Sequence, residues 1–582
     1  MFKSKKLLAI IFAALAFNLS ITGMNAYAAP NEEADKTSAI TTEDKNNSNN
    51  IITSKDNISS NEESSQKTDN IKNDSIEDND VIQKPEIIPH WENIDGKLHY
   101  VTKDGIVEEE GWFKESDVNP DSKNDEEYYL DNNYAAVIGW KQIGLNWYYF
   151  NENGVKQTGW QFINYKWYHL DKYGVMEKGW IKYGIYKYYL DEGGAMTTGK
   201  KYLDGNWYFF ANDGRLETGF YSYKGNDYYS NQDGIIMTNK WINTRTYNYY
   251  AKADGTLAKG NIIIDGRLEV FDENGRNIET KDIEDDYLYV KYLSVGNADC
   301  HFIKLPNGET ALIDTGDVTT RQQLVDFLNE QDLKTKKGEK YIDYVIITHG
   351  HSDHIGGLEA VLENFKVGKI YMPKNTAMEK WYSGLEVNDK VTQADIDMLK
   401  TDYDVYSNAA KAVKKAGLKF INPKKGDYID SNKILQFVQS GKDFGEVGSQ
   451  EHLGKYWGLN DNSAIIYLNY GDFQCLFTAD IEWTAEKDFW TNNLLDGREV
   501  DLLKVPHHGN DTSSTGDFLK YVNASVGIIS RSEESIKKNE AYNNLITNGV
   551  MVYETSQSTN GGISVYSTED NWSMENTFLV NS

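Results

Sequence analysis

The chain has 582 residues, a formal net charge of -29 and a sequence pI near 4.8. This length predicts several domains, and the acidity counts against nonspecific binding to nucleic-acid phosphates, which needs clustered Lys and Arg. The two cysteines, Cys300 and Cys475, both lie in apolar runs. They are therefore expected to be buried thiols and not a disulfide framework.

The first 28 residues have the features of a secretory signal peptide. Lysines precede an apolar run from Leu7 to Phe17, and a small-x-small cleavage pattern follows at Ala26 and Ala28. The run is shorter than the roughly 20 residues that a membrane-spanning helix needs. The sequence thus predicts a secreted mature chain without a transmembrane segment, held at a cell surface only through a binding domain.

A polar segment follows over residues 29–88 and consists largely of Asn, Ser, Asp, Glu and Lys. Such a composition buries too little apolar surface to offset the conformational entropy of the chain. A disordered spacer is therefore predicted. Its function would be to extend the distance over which the folded domains after it can act.

Residues 91–276 repeat with a period of about twenty residues. Each period contains a cluster of Trp, Tyr and Phe, a short polar turn with Gly, and in most units a Gly-Trp pair. The units are predicted to be β-hairpins with a left-handed Gly closing the turn. Because one hairpin of this size is barely stable, they are predicted to stack into a solenoid. The periodic glycines are Gly154, Gly174, Gly194, Gly214 and Gly234.

These units resemble the choline-binding and cell-wall-binding repeats of surface proteins from Gram-positive bacteria. The resemblance implies Trp and Tyr cages that attract a quaternary ammonium by cation-π interaction, with a glycan as the alternative ligand. Some of the aromatic residues are expected to form the core of the stack instead. Three units depart from the pattern, since Lys200, Phe220 and Lys240 replace the Trp of the Gly-Trp pair. The candidate ligand-binding residues are Trp140, Trp147, Tyr149, Trp160, Trp167, Trp180 and Trp207.

The segment Tyr344–Gly357 joins an apolar run to a loop that carries three histidines and an aspartate within six residues. This pattern predicts a strand that delivers ligands onto a loop. Imidazole nitrogens and carboxylate oxygens suit borderline cations such as Zn²⁺, and the spacing alternates their directions so that two metal positions are served. The alternative is a surface loop whose histidines are held by local hydrogen bonds. The candidate ligands are His349, His351, Asp353 and His354.

This segment resembles the HxHxDH motif of the metallo-β-lactamase superfamily. Two earlier blocks, Ser294–Asp299 and Leu312–Gly316, look like the branch that includes competence-type DNA-uptake hydrolases and phosphorylcholine esterases. Strands and helices alternate over residues 287–582, as expected for two sheets with helices outside. The predicted fold class is therefore multidomain: a β-hairpin solenoid of aromatic repeats, followed by an αββα metallo-β-lactamase sandwich.

The resemblance implies two further metal ligands. Asp480 ends an apolar strand where the family has a metal-bridging aspartate, although it is also placed to cap the helix that begins near Trp483. His508 is the favoured ligand of the pair His507-His508, which follows another strand. Two divalent ions, with Zn²⁺ favoured, are expected. The first site would use His349, His351 and Asp480, and the second Asp353, His354, Asp480 and His508.

The first site lacks a histidine that many superfamily members have before the bridging aspartate. Asn462 and Ser463 stand near that position and are interpreted as substrate-facing or structural polar groups, while His452 lies further upstream. Weaker occupancy of the first site is the expected consequence. Asp314 is predicted to orient a ligand histidine or to hold a loop.

The combined resemblances predict a secreted, wall-bound hydrolase that uses two metal ions to cleave a phosphoester, most specifically by releasing phosphorylcholine from teichoic acid. Asp353 and His507 are the catalytic candidates, and His507 would protonate the leaving oxygen. Tyr456 and Trp457 are the candidates for contacting the choline cation of the substrate. A wall-tethered extracellular nuclease of the DNA-uptake type and a non-catalytic surface adhesin are the alternatives.

Overall fold

The computed structural model describes residues 87–283, 286–374, 392–441, 457–532 and 539–575. The predicted signal peptide and almost all of the predicted spacer lie outside these ranges, as do Tyr456, His452 and the side chain of Trp457. No helix within the described ranges is long and apolar enough to cross a membrane.

The first part of the described chain is a series of antiparallel hairpins, as the repeats predict. One short helix, α1 (Glu115–Val118), interrupts the early units. The hairpin strands are β1 (His90–Ile94), β2 (Lys97–Thr102), β3 (Gly105–Ile106), β4 (Gly111–Lys114), β5 (Glu127–Leu130), β6 (Gly139–Ile143), β7 (Asn146–Phe150), β8 (Gly159–Ile163), β9 (Lys166–Leu170), β10 (Gly179–Tyr183), β11 (Tyr186–Leu190), β12 (Gly199–Leu203), β13 (Asn206–Phe210), β14 (Gly219–Tyr223), β15 (Asn226–Ser230), β16 (Lys240–Asn243), β17 (Asn248–Ala251), β18 (Gly260–Ile264), β19 (Arg267–Phe271) and β20 (Asn277–Lys281).

The left-handed glycines predicted for the turns are confirmed, and packing explains why no larger residue fits. Gly194 has φ +82°, and a Cβ added there would lie 2.5 Å from Met176 Sδ in the preceding unit. In the same turn the side chain of Asp191 accepts hydrogen bonds from the backbone N–H groups of Gly193 and Ala195. The polar residue at the start of this turn therefore replaces missing backbone partners, as expected for such turns.

Successive hairpins are joined by backbone hydrogen bonds as well as by ring contacts. The N–H of Met176 donates to Trp147 O at 2.8 Å, and that of Met196 donates to Trp167 O at 2.8 Å. The same bond recurs from Ile236 to Trp207 O at 2.8 Å. This repetition stacks the hairpins in a fixed order, which confirms the predicted solenoid.

The second part of the chain contains two sheets. One is mixed, with strand order β27-β26-β25-β23-β22-β21-β34-β35 and β24 paired to β25, and the other has the order β28-β29-β30-β31-β32-β33. Their strands are β21 (Leu288–Leu293), β22 (His301–Lys304), β23 (Thr310–Ile313), β24 (Thr335–Lys336), β25 (Glu339–Ile346), β26 (Lys366–Tyr371), β27 (Phe420–Ile421), β28 (Leu435–Ser440), β29 (Ala464–Tyr470), β30 (Phe473–Phe477), β31 (Leu502–Lys504), β32 (Val526–Ile529), β33 (Met551–Glu554), β34 (Gly562–Ser567) and β35 (Trp572–Glu575).

Helices cover the outer face of each sheet, so the predicted αββα sandwich is confirmed. Alternate residues of one strand point to opposite faces, and Ile346 accordingly packs between the sheets while Val345 packs under the outer helices. The thiols of Cys300 and Cys475 are free and buried, as predicted. The helices are α2 (Arg321–Glu330), α3 (Ser352–Ile355), α4 (Leu358–Asn364), α5 (Gln393–Lys415), α6 (Trp457–Asp461), α7 (Trp483–Thr491), α8 (Gly516–Val522) and α9 (Glu540–Thr547).

Candidate metal centre

The predicted ligands follow the carboxyl ends of strands from both sheets. In the first sheet β23 and β25 are parallel, and Asp314 and His349 follow them. In the second sheet β30, β31 and β32 are parallel, and Asp480 and His508 follow the first two. Carboxyl ends of parallel strands meet at one edge of a sheet, where ligands commonly bind.

Left-handed backbone accompanies several of these residues. Asp314, Ala479, His507 and His508 have φ values of 59°, 48°, 45° and 50°. Non-glycine residues adopt this conformation at an energetic cost, and outside turns such residues cluster at functional sites. The turn of Pro506–Gly509 directs the two histidines away from the path that a regular helix would give them.

Four side chains converge on one point at this edge. Asp353, His354, Asp480 and His508 each offer one ligand atom, and all four atoms lie within 4.8 Å of one another. The His354 and His508 Nε2 atoms lie 3.2 and 3.1 Å from Asp480 Oδ2. Neither Nε2 atom makes a hydrogen bond although both are buried. The structure therefore brings together the four residues predicted for the second metal position.

Neighbouring groups fix the orientation of the His354 and His508 imidazole rings. His354 Nδ1 donates to Asp314 Oδ2 at 2.8 Å, and His508 Nδ1 donates to Ser530 O at 2.9 Å. With a proton on each Nδ1, each Nε2 presents a lone pair towards the carboxylates, as metal-bound histidines do. Four electron-pair donors that face one another fit a divalent cation. Asp314 therefore contacts one of the predicted ligand histidines.

The charges of the four clustered side chains also favour a cation. Burial disfavours charge on His508, yet Asp480 and Asp299 raise its pKa to about 9. Burial likewise opposes ionisation of Asp480, but the charges of His508, His354 and Lys504 hold its pKa well below the usual carboxyl value. A carboxylate that draws positive charge onto its neighbours provides the potential that binds a metal ion.

His349 and His351 form a separate pair next to this cluster. His349 Nε2 lies 3.0 Å from His351 Nδ1, and both rings are buried. Burial and the neighbouring His354 hold the pKa of His349 well below its usual range, so this ring stays neutral and able to bind a metal. Ser463 Oγ lies 3.3 Å from His349 Nδ1. Ser463 is fully buried and therefore supports a histidine, while Asn462 is half-buried.

A buried lysine and aspartate lie beneath the cluster, and the sequence had not assigned them a role. Lys504 Nζ forms an ion pair with Asp299 Oδ2, lies 3.5 Å from Asp480 Oδ1 and donates to Ala479 O at 3.0 Å. Burial opposes the charge of Lys504, but Asp299 and Asp480 raise its pKa. Lys504 therefore supplies a fixed positive charge that holds the loop of Asp480.

His507 points to a different set of partners. Its Nδ1 lies 2.7 Å from Thr512 Oγ1 and 3.0 Å from Glu482 Oε1. The buried Asn460 donates to the same Glu482 Oε1 at 3.0 Å. The carboxylate can stabilise a proton on Nδ1 and orient the ring, which suits a residue that transfers a proton from its other nitrogen. Glu482 and Asn460 could not be identified from sequence, because neither belongs to a spaced motif.

The Gly-Trp tryptophans make contacts that suit a ligand cage. Trp140 lies 5.2 Å from Tyr149 of its own hairpin and 4.9 Å from Tyr168 of the next hairpin, between ring centroids. Trp160 and Trp180 have equivalent partners, His169 with Tyr188 and Tyr189 with Tyr208. The predicted loss of this tryptophan near Lys240 is wrong, because Trp241 pairs with Tyr250 as Trp140 pairs with Tyr149. Trp147 and Trp180 are 38% and 39% exposed, so their faces are accessible to a ligand.

Two predicted cage residues in the second strands of their hairpins have different surroundings. Trp167 lies 5.1 Å from Phe162 between ring centroids. Trp207 lies 5.2 Å from Tyr202, and Lys200 Nζ lies 4.8 Å from the centroid of its ring. The two tryptophans are equivalent in sequence, yet a cation of the chain itself lies at one of them.

Family models match both parts of the chain. Residues 293–532 match the metallo-beta-lactamase superfamily. Residues 138–156, 158–176 and 200–216 match the cell wall binding repeat of the choline-binding type. The first match lies within the sandwich and the second within the hairpins.

Individual relatives match one part each. ComE operon protein 3 of Bacillus subtilis (strain 168) is 26% identical over 257 residues, which are 42% of this chain and 28% of that protein. Choline binding protein F of Streptococcus pneumoniae is 29% identical, with 31% of this chain and 70% of that chain covered at a TM-score of 0.29. CbpJ from Streptococcus pneumoniae TIGR4 is 23% identical, with 32% and 87% covered at a TM-score of 0.28. The chain thus spans less than a third of the length of its curated relative ComE operon protein 3.

Proposed function

Because the chain is a metallo-β-lactamase superfamily hydrolase fused to choline-binding cell-wall repeats, we propose that it releases phosphorylcholine from a choline-decorated wall polymer such as teichoic acid. In this proposal the protein is secreted and held at the wall by its hairpins. The bond that is cleaved is a phosphodiester, and the two products are phosphorylcholine and the polymer hydroxyl.

One observation carries the proposal: the sandwich holds a cluster of four ligand atoms, and the series of hairpins that packs against it holds a row of aromatic pairs. The cluster fits hydrolysis of a charged ester, and the aromatic pairs fit a quaternary ammonium. Phosphorylcholine esters contain both a charged phosphate ester and a quaternary ammonium group. Choline on neighbouring positions of the polymer would hold the catalytic domain at a high effective concentration of its substrate.

Asp353, His354, Asp480 and His508 would hold one divalent ion, and the pair His349-His351 would contribute to a second. Ions bound there would supply a nucleophilic water of lowered pKa and neutralise charge on the phosphoryl oxygens. Asp314 and Ser530 O keep the Nε2 atoms of His354 and His508 directed into the site. Lys504 keeps Asp480 in place from below.

His507 is the proposed proton donor for the leaving oxygen. Glu482 and Thr512 surround its Nδ1, so the ring is oriented by its surroundings. Nε2 would carry the transferred proton to the departing polymer hydroxyl, and Glu482 would stabilise the charged ring until transfer. Tyr456 and Trp457 remain the proposed contacts for the substrate choline.

The test is a comparison of two chromogenic diesters with the zinc-loaded protein. We expect p-nitrophenylphosphorylcholine to be hydrolysed with a higher kcat/KM than bis-p-nitrophenyl phosphate, because only the first carries the choline cation. Equal rates would contradict choline recognition, although they would leave phosphodiester hydrolysis standing. Cleavage of plasmid DNA with no release of nitrophenol from either diester would instead favour the nuclease.

A further inference from the structure

The hairpins from Gly199 to Ile264 share a buried apolar core with the sandwich. Phe209, Ile236 and Ala253 belong to the same cluster as Met551 and Tyr553 of β33. A Cβ added to Gly255 would lie 3.2 Å from Met551 Cε, so the two parts are in direct contact there. The rings of four further hairpin residues pack against this cluster: Trp207, Tyr221, Tyr223 and Tyr228.

Directional hydrogen bonds accompany the apolar contact. Tyr553 Oη donates to Ala253 O at 2.7 Å inside the interface. At β18, Thr568 Oγ1 donates to Asn261 O at 3.0 Å and Asn571 Nδ2 donates to Lys259 O at 2.6 Å. Because the acceptors are backbone carbonyls of the hairpins, these bonds define one position of β18 against the sandwich.

Lys200 contributes to this interface and also contacts Trp207. It pairs with Phe209 across its hairpin at the position where Trp180 pairs with Tyr189 in the preceding unit. Its Nζ lies 4.8 Å from the Trp207 centroid and 3.5 Å from Gly549 O of the sandwich. A ligand ammonium at Trp207 would have to compete with a tethered cation already in cation-π contact.

The hairpins of Trp140, Trp160 and Trp180 differ from the Lys200 hairpin in their contact with the sandwich and in the partners of their tryptophans. Within the part of the chain that the structure describes, the hydrogen bonds between hairpins and sandwich begin at Lys200. Trp140, Trp160 and Trp180 keep aromatic partners from two hairpins each. The loss of the Gly-Trp tryptophan at Lys200 therefore coincides with the start of the contact to the sandwich.

We propose that the hairpins of Gly199–Ile264 are a permanent dock for the catalytic domain and that Lys200 replaces a ligand ammonium at Trp207. Choline binding is then confined to the hairpins that precede Gly199, including those of Trp140, Trp160 and Trp180. The docked hairpins hold the active site at a fixed position relative to the bound polymer. The choline that is bound and the phosphorylcholine that is released therefore belong to different residues of the polymer. Only the identity of the ligand rests on the proposed function.

The test compares two tryptophans at the same position of their hairpins, Trp167→Ala and Trp207→Ala, in the full-length protein. Two properties are measured: the number of choline molecules bound per chain by equilibrium dialysis with choline chloride, and hydrogen–deuterium exchange of the peptide that contains Met551–Glu554. We expect Trp207→Ala to speed exchange at least several-fold and to leave the bound choline unchanged. Trp167→Ala is expected to lower bound choline and to leave exchange unchanged.

Tyr553→Phe is the second variant, because it removes only the hydroxyl that bonds Ala253 O and keeps the packed ring. It should also speed exchange of Met551–Glu554 without loss of bound choline. The dock is overturned if Trp207→Ala and Tyr553→Phe leave exchange as in the wild type, and the assignment of Trp207 is overturned if Trp207→Ala loses bound choline. If the wild type binds no choline, the proposed ligand fails while the exchange result still decides whether the dock exists.

Discussion

The proposed metal ligands of the sandwich come from three different segments, whereas the aromatic residues of the hairpins repeat one local pattern. Asp353, His354, Asp480 and His508 each occupy a unique position. Asp314, Lys504 and Ser530 O contact His354, Asp480 and His508 respectively. Trp140, Trp160 and Trp180 occupy equivalent positions with equivalent partners. A unique site loses its function with one residue, while a repeated site loses a fraction, so the two regions should respond very differently to substitution.

The largest effect is expected from Asp480→Asn. The substitution removes the carboxylate charge that lies 3.2 Å from His354 Nε2 and 3.1 Å from His508 Nε2. Hydrolysis of p-nitrophenylphosphorylcholine should fall on the order of a thousand-fold, or about 4 kcal/mol of transition-state stabilisation. Asp517→Asn, a substitution in the first turn of α8, is the matched control and should leave kcat/KM unchanged. Activity of Asp480→Asn within a few-fold of wild type would contradict the central role of this cluster.

A comparison of His349→Ala with His508→Ala distinguishes the two proposed metal positions of the catalytic site. His508 belongs to the four-atom cluster, while His349 belongs to the adjacent pair. We expect His349→Ala to retain one metal ion per chain and His508→Ala to lose the tighter ion, as measured by mass spectrometry of the dialysed protein. The reverse order of losses would show that the histidine pair, and not the cluster, is the principal metal site.

A smaller effect is expected from Asp314→Asn, because Asp314 acts through His354. The amide can still accept from His354 Nδ1 but lacks the charge that stabilises the ring. Metal affinity should fall about 10-fold to 100-fold, as is usual when such a supporting partner is lost. Competition with a zinc-binding dye measures this change, and an unaltered affinity would show that His354 does not need its acidic partner.

The aromatic repeats should tolerate the loss of one tryptophan. Trp160→Ala removes one cage and leaves those of Trp140 and Trp180, so avidity is reduced but not abolished. The concentration of free choline that elutes the protein from a choline matrix should fall several-fold. Trp483→Ala, an exposed tryptophan of the catalytic domain, is the control and should elute with the wild type. Complete loss of retention in Trp160→Ala would mean that one cage carries the binding, which would contradict a binding function shared among repeated cages.

The smallest effect is expected from Lys200→Met, a substitution in the hairpins that contact the sandwich. Burial lowers the pKa of Lys200 from 10.5 to about 8, so the folded protein releases this proton before the unfolded chain does. Lys200 therefore makes the wild type more stable, relative to Lys200→Met, as the pH rises from about 8 to about 10.5. Urea unfolding at pH 7, 9 and 10 should show the stability difference, variant minus wild type, falling with pH. A difference that stays constant would contradict the buried position of the amine.

The sequence predicted those parts of the site that follow from strand ends. An apolar run that stops at a histidine or aspartate indicates both a strand and the end at which a ligand lies, which is how the loop of His354 was interpreted. Asp480 and His508 were predicted to join that loop because their segments resemble the metallo-β-lactamase superfamily. The hairpins were predictable for a related reason, since their turns require a left-handed glycine such as Gly194 at every period.

Contacts between distant segments could not be predicted in this way. Lys504 and Asp299 lie in separate motifs, and only the fold brings their charges together. The network of His507 and Glu482 joins the ends of two strands in the same manner. The contact of Trp207 with the sandwich was also hidden, although the replacement of Trp by Lys200 in the same hairpin was a local sign of a different role.

The most direct test of the account is ³¹P NMR of a choline-decorated teichoic acid incubated with the zinc-loaded full-length protein. The account predicts that a phosphorylcholine resonance grows with time in the presence of the wild type and is absent with Asp480→Asn. A wild-type protein that is fully loaded with metal and leaves the polymer resonances unchanged would contradict it.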